Sequence, residues 1–263
     1  MNENKEKTTR AGTVQSVARA LCLVDLIAAS QDGMSLTQLA NTIDLPKSTV
    51  FGLLATLREY QYVSQSPEDG RYLLGTRLFE LGNRAARAWD VRDAAKPVLK
   101  RLAREFGETV HLGVEDNGEI LYIEKISSDS LVNIVSEIGI RLPMHCSALG
   151  KVLLAQKSKA ELRRITALRG LPAYTTQTIT TLTQLDKALS RVREQGYAID
   201  DGEIMENLRC VATPVRDANG IVKYAISMSG QVRDMYGKRL ERIIEEMKKA
   251  AEEISASVAN GRI

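Results

Sequence analysis

Histidine and cysteine are scarce in this chain. Two histidines, His111 and His145, and three cysteines, Cys22, Cys146 and Cys210, occur in 263 residues. The histidines have no metal-ligand spacing to a cluster of cysteines or carboxylates, so no metal site is read. An odd, widely spaced set of cysteines gives neither a disulfide framework nor a zinc knot. No uninterrupted apolar run approaches the roughly 18–20 residues that cross a bilayer, so no membrane partner is expected. The first ten residues are polar and mixed in charge, with no secretion-signal segment behind them, which makes the cytoplasm the expected address. A Gly-x-Ser-x-Gly elbow and a Walker phosphate loop are both missing. Cys210 and His145 could be paired as nucleophile and base, but nothing in the sequence places them together. No catalytic residue, no cofactor and no enzymatic activity are expected.

A strong charge of one sign is lacking as well. The net charge is +3, and residues 1–90 carry ten basic and ten acidic side chains. Any nucleic-acid binding here must come from where the charges sit, because there is no global field to supply it.

What is present is an ordinary globular composition, 44% hydrophobic and 26% charged, in a chain long enough for two domains at roughly 150 residues each. Val14, Val17, Ala18, Leu21, Val24 and Ile27 recur at helical spacing and define a first amphipathic helix. Ser35 followed by Gln38 reads as a capping box for a short second helix with Leu36, Leu39, Ala40 and Ile43 inward. Pro46 fits the first position of a third helix that buries Val50, Leu53, Leu54 and Leu57. Tyr62-Val63, the turn Pro67-Glu68-Asp69-Gly70 and Tyr72-Leu73-Leu74 make a hairpin. Three helices and a hairpin read as a winged helix-turn-helix, or as a small helical subdomain without a DNA role.

Thr76–Trp89 reads as a linker helix with Leu78, Phe79, Leu81 and Ala85 on one side and Arg84 and Arg87 among its polar positions. Arg92–Phe106 is a further amphipathic helix. Beyond it the pattern mixes strands at Thr109–Glu115, Glu119–Ile126, Leu131–Ser136, Gly196–Asp200, Cys210–Arg216 and Val222–Ser229 with helices at Ser147–Ala155, Lys159–Leu168 and Leu182–Gln195. A long terminal helix runs from Leu240 to Val258. Strands flanked by helices, with hairpins among them, describe an α+β sensor domain.

Two constellations could carry function. The third helix opens on Lys47, Ser48 and Thr49, and in a helix-turn-helix this end enters the major groove. Arg19 and Arg71 are candidate backbone clamps. In the distal region Ser147-Ala148-Leu149-Gly150 opens a helix whose first N–H groups can cradle a carboxylate. Asp200, Cys210, Ser227 and Ser229 lie on or beside strands, and the two serines share a face. They form either a small polar pocket or a hydrogen-bonded core.

The ordered set of motifs resembles the IclR (isocitrate lyase regulator) family of bacterial transcription factors over residues 13 to about 258. The matching pieces include Ser16-Val17-Ala18-Arg19-Ala20-Leu21, Leu45-Pro46-Lys47-Ser48-Thr49-Val50, Leu142-Pro143-Met144-His145-Cys146-Ser147-Ala148-Leu149-Gly150-Lys151, Gly196-Tyr197-Ala198-Ile199-Asp200-Asp201, Leu208-Arg209-Cys210-Val211-Ala212 and Ile226-Ser227-Met228-Ser229-Gly230. The resemblance implies an α+β chain. It would comprise a disordered tail over 1–12, a winged helix-turn-helix over 13–75, a linker helix over 76–91 and a GAF-like α/β effector-binding domain over 92–263. It also implies a homodimer or dimer of dimers on double-stranded operator DNA, a repressor that senses a small-molecule carboxylate such as a 2-oxo or sugar acid. A metabolite-binding module without a DNA role is the alternative. Carried over by position, the ligand pocket comprises the Ala148 and Leu149 backbone with Asp200, Cys210, Ser227 and Ser229, and Cys210 is a wall of it. Gly52 stands where many relatives place arginine, which shifts base readout toward Thr49 or Phe51. Asn207 stands where relatives often have glycine, at the expected pocket floor.

Overall fold

The computed structural model describes residues 12–86, 91–127 and 136–260. The chain forms two compact units, residues 1–89 and 90–263.

The first unit contains α1 (Gln15–Ala28), α2 (Leu36–Ile43), α3 (Lys47–Glu59), the hairpin β1 (Val63–Gln65) and β2 (Tyr72–Leu74), and α4 (Thr76–Ala86). The capping box at α2 is present. Gln38 N–H donates to Ser35 Oγ at 3.3 Å and Ser35 N–H donates to Gln38 Oε1 at 2.9 Å, a device worth about 1 kcal/mol. Asp44 takes a left-handed φ of 51° to end α2. Pro46, expected inside α3, is instead its N-cap, with an extended ψ of 137°. Its carbonyl accepts from Thr49 and Val50 N–H, so helical backbone begins at Lys47. Leu23, Ile27, Leu39, Val50, Leu54 and Tyr72 close the core. The first helix buries only the C-terminal part of the stripe its periodicity marks: Ile27 is in the core with Val24 packed against it, and Leu23, outside that stripe, is buried, whereas Val14, Val17 and Leu21 are more than half exposed. Helix α4 buries none of its residues. Arg87 and Trp89 of the expected linker lie outside the described residues.

The second unit is a six-stranded sheet with helices on both faces. It contains α5 (Val91–Phe106), β3 (Thr109–Asp116), β4 (Glu119–Ile126), β5 (Arg141–Pro143), α6 (Ala148–Leu154), α7 (Lys159–Arg169), α8 (Leu182–Gln195), β6 (Ala198–Asp201), β7 (Leu208–Arg216), β8 (Val222–Gln231) and α9 (Gly237–Ala259). The strand order is β5-β4-β3-β8-β7-β6, and every neighbouring pair is antiparallel. Residues 131–135 of the expected third strand lie outside the described residues, Ser136 is not in a strand, and β5 takes the place beside β4. Gly196, expected in a strand, is the left-handed C-cap of α8. Because side chains alternate across a strand, one face presents Ala198, Ala212 and Ala225 to the cluster around α6 and α8. The other carries Thr213, whose hydroxyl donates to the Met247 carbonyl of α9. No helix among the described residues is long and apolar enough to cross a membrane.

Candidate functional sites

On the first unit, burial of Val50 and Leu54 leaves Lys47, Ser48, Thr49, Phe51 and Gly52 exposed on the far side of α3. Arg58, near the end of that helix, donates to Gln65 Oε1 of the wing at 2.7 Å. Arg71 is also engaged, pairing with Asp69 at 3.3 Å and donating to the Gly33 carbonyl at 3.2 Å. It ties the wing to the loop before α2 and still keeps part of its guanidinium in water. Arg19 is half-buried on α1. A Cβ built on Gly52 would meet nothing within 4 Å. Gly52→Ala is therefore expected to raise the stability of this unit by about 1 kcal/mol, the glycine penalty inside a helix, measured as a shift in its denaturant midpoint. A loss of stability would show that the empty space is not free.

In the second unit, strand register builds the site. Asp200 on β6 lies opposite Cys210 on β7, Cys210 opposite Ser229 on β8, and Ser229 opposite Thr109 on β3. One step along, Ser227 stands opposite His111. A polar row thus crosses the sheet from residues more than a hundred positions apart in sequence. Above it sits α6, all seven of whose residues are buried. Its close approach depends on two glycines. A Cβ on Gly113 would press on Leu149 at 3.1 Å, and one on Gly150 would sit 2.2 Å from the Met144 carbonyl oxygen.

Between row and helix lies a cavity of about 150 Å³. Ser147, Ala148, Leu149, Asp200, Cys210, Ser227 and Ser229 all line it. Gly150, expected among them, does not. Its N–H donates to the Ser147 hydroxyl, and its missing side chain faces Met144 instead. Asn207 is likewise not on the wall. It is exposed, with a left-handed φ of 64°, the conformation glycine adopts freely and asparagine tolerates. Asn207 therefore contributes backbone conformation and no wall atom to the cavity.

The remaining wall was not read from the sequence: Tyr122, Ser136, Ile140, Leu142, Ile204, Met205 and Leu208. Asp200 is 1% exposed. Its Oδ1 accepts from Glu203 N–H at 2.8 Å, whereas Oδ2 has no partner among the described residues. Burial, opposed by that N–H and by the Lys151 ammonium, pushes its carboxyl up to about 7. Lys151, buried on α6, is bound to the Ile199 carbonyl and to the Glu203 carboxylate. Burial raises the Glu203 carboxyl too, against the pull of Lys151. His111 stacks on Tyr122 with ring centroids 4.4 Å apart, and its Nε2 meets Ser136 Oγ at 2.8 Å. Burial drives its imidazole down to about 3.

Neither cysteine here is activated to react. Burial, reinforced by Asp200, raises the Cys210 thiol far above neutrality and takes Cys146 to about 12, the opposite of an activated nucleophile. His145 bonds the Pro172 carbonyl in a separate cleft lined by Arg141, Arg169 and Tyr174. It shares no cavity wall with Cys210.

Comparison with known proteins agrees with this geometry. Residues 16–67 match the IclR helix-turn-helix domain and residues 83–256 the C-terminal domain of bacterial transcriptional regulators of the IclR type. The chain is 37% identical over 245 residues to the HTH-type transcriptional regulator XynR of Escherichia coli, covering 93% of this chain and 97% of that one. It is 33% identical to the transcriptional repressor IclR of the same organism, covering 95% and 92%. The crystal structure of an IclR homolog complexed with 4-hydroxybenzoate, from Microbacterium hydrocarbonoxydans, superposes with a TM-score of 0.83 at 25% identity, covering 93% and 99%. The chain belongs to the IclR family, as a DNA-binding transcriptional regulator with an effector-binding domain and not as an enzyme.

Proposed function

We propose that this regulator is a repressor that grips its operator as a homodimer, or a pair of dimers, and is tuned by a small carboxylic acid held in the cavity above the polar row. The observation that carries the ligand class is the mixed lining of the cavity. Ser136, Ser147, Asp200, Ser227 and Ser229 bring a few polar groups to the wall, and Tyr122, Ile140, Leu142, Ile204 and Leu208 bring apolar surface. An acid of a few carbons places its carboxylate against the Ala148 and Leu149 backbone and the serine hydroxyls, and a hydroxyl or oxo group beside Asp200. Its carbon chain then meets the apolar residues. That mixed lining favours a short 2-oxo acid over a polyhydroxylated sugar acid, which would leave hydroxyls unpaired.

The pairing of two chains is supported by the exposed apolar side chains of the first unit. Val14, the N-cap of α1, and Val17 and Leu21 on α1 are 62%, 55% and 60% exposed, and Phe79 on α4 is 76% exposed. Large apolar side chains left in water on a helix mark an association surface. With so little net charge per head, two heads on a palindromic site supply the phosphate contacts that one lacks. The arms of the switch must bind the acid with different affinity.

Calorimetry with pyruvate, glyoxylate and 4-hydroxybenzoate, paired with anisotropy on a DNA fragment from upstream of its own gene, tests the reading. A binder is expected whose affinity falls at least tenfold in Ser229→Ala, as a hydrogen bond to a charged group implies. The same compound should weaken the protein–DNA complex. Operator binding that is indifferent to every compound the cavity accepts would sink the proposal.

A further inference from the structure

The water-facing stripe of α3 is almost free of charge. Ser48, Phe51, Gly52 and Ala55 fall at i, i+3, i+4 and i+7, all exposed and opposite the buried Val50 and Leu54. Residues at this spacing form one continuous ridge along a helix. Phe51 is 54% exposed, and beside it Gly52 opens onto free space: apart from its own helix backbone, nothing lies within 4 Å of its Cβ position. Thr49 and Thr56 flank the stripe, and the Thr56 hydroxyl is turned back onto the Gly52 carbonyl at 3.1 Å.

Cations are confined to the two ends of the helix. Lys47 is its first residue, and Arg58, near the last, is bonded to Gln65 of the wing. The middle of the helix therefore has no fork of donors for O6 and N7 of guanine, the commonest contact by which a protein reads a base. It also lacks the amide that would pair with adenine. The one feature of the major groove that rewards an apolar ridge is the C5 methyl group of thymine.

We infer that α3 selects its operator by seating thymine methyl groups over Gly52 against the Phe51 side chain, so that the half-site is read as T·A pairs and not through guanine. This rests on the helix-turn-helix unit laying α3 in the major groove, and it adds which base chemistry is read and by which residues. Phe51 and Gly52 set specificity, Lys47 and the flanking hydroxyls set register on the phosphates, and the two contributions separate by salt dependence.

The test uses the full chain and a half-site recovered by selection from a random duplex pool at about 0.15 M salt. Each thymine in the selected site is then replaced by deoxyuridine, which removes one methyl group and leaves the hydrogen-bonding edges and phosphates intact. Affinity is expected to fall about fourfold for each methyl that α3 seats, the worth of one buried methyl-sized group. Phe51→Ala leaves the core untouched and should lose the preference for thymine over deoxyuridine in the selected site. Gly52→Arg should move the preferred base at one position to guanine. Equal affinity for the thymine and deoxyuridine duplexes, or a selected site whose essential positions are guanines, overturns the inference and leaves the regulator reading in place. A pool that yields no enriched sequence overturns operator reading itself.

Discussion

Lys151→Met is expected to lower the unfolding free energy of the second unit by about 3–5 kcal/mol, the usual cost of stranding one member of a buried ion pair. Lys151 is 3% exposed and Glu203 8%. The ammonium is shared between the Glu203 carboxylate and the Ile199 carbonyl, the latter at 2.5 Å. Methionine fills the same volume, so little of the loss comes from packing. The charge left on Glu203, one of whose oxygens has no partner among the described residues, is what has to be hydrated or protonated. Lys151→Met combined with Glu203→Gln should recover most of the loss, since an uncharged pair of similar size is often no less stable than the ionic one. Denaturant unfolding of the three proteins decides it. A single variant costing under about 1 kcal/mol would mean that water reaches the pair. The pair also bears on the cavity, because Glu203 N–H holds Asp200 Oδ1 and the following residues Ile204 and Met205 form part of the wall.

The second large effect is a dependence on pH that the wild type conceals. Asp200 holds its proton up to about 7 when folded, against 3.8 ordinarily. Its contribution to stability is therefore complete below pH 4 and is lost as pH rises through 7. His111 runs the other way. Its imidazole is driven from 6.5 down to about 3, so its contribution is complete above 6.5 and is lost as pH falls toward 3. Between pH 4 and 6.5 the two slopes, each about 1.4 kcal/mol per pH unit, oppose one another. Asp200→Asn keeps the shape and the acceptor for Glu203 N–H but removes the titration. Its stability relative to the wild type should climb with pH through this window, by roughly 3–4 kcal/mol in all. Parallel curves for the two proteins would show that the carboxylate ionises normally inside the cavity, with solvent at hand.

The parts legible in the sequence are those with local causes. Ser35 and Gln38 announce α2 because both halves of the capping box lie within one turn. The wing follows from Pro67-Glu68-Asp69-Gly70, and the serines of β8 from a period of two. The buried stripe of α1 was legible only toward its end, at Val24 and Ile27, because periodicity cannot say which apolar residue has a neighbour. Val14, Val17 and Leu21 fit the same helical repeat yet stay in water, while Leu23 and Ile27 are buried. Lys151 reads as a surface cation until the fold brings Glu203, 52 residues away, beneath it. The apolar wall of the cavity was hidden for a similar reason: Ile140 precedes and Leu142 lies within β5, a strand too short to show alternation, and Tyr122 is one aromatic in a strand that hydrophobic pattern alone explains. The polar half emerged from spacing and from family motifs, which mark chemistry better than they mark volume.

Strand β3 has its hairpin partner β4 within a few residues, but its other edge is closed only by β8, whose last residue is Gln231. A chain emerging from the ribosome must therefore carry Val110 and Leu112, which end up wholly enclosed, beside an unpaired edge while more than a hundred further residues are made. Any truncation short of β8 leaves that edge without its mate, a template for pairing with other nascent chains. For this regulator, the interval between making the first half of its sensor and making the last strand is when chaperones have most to do.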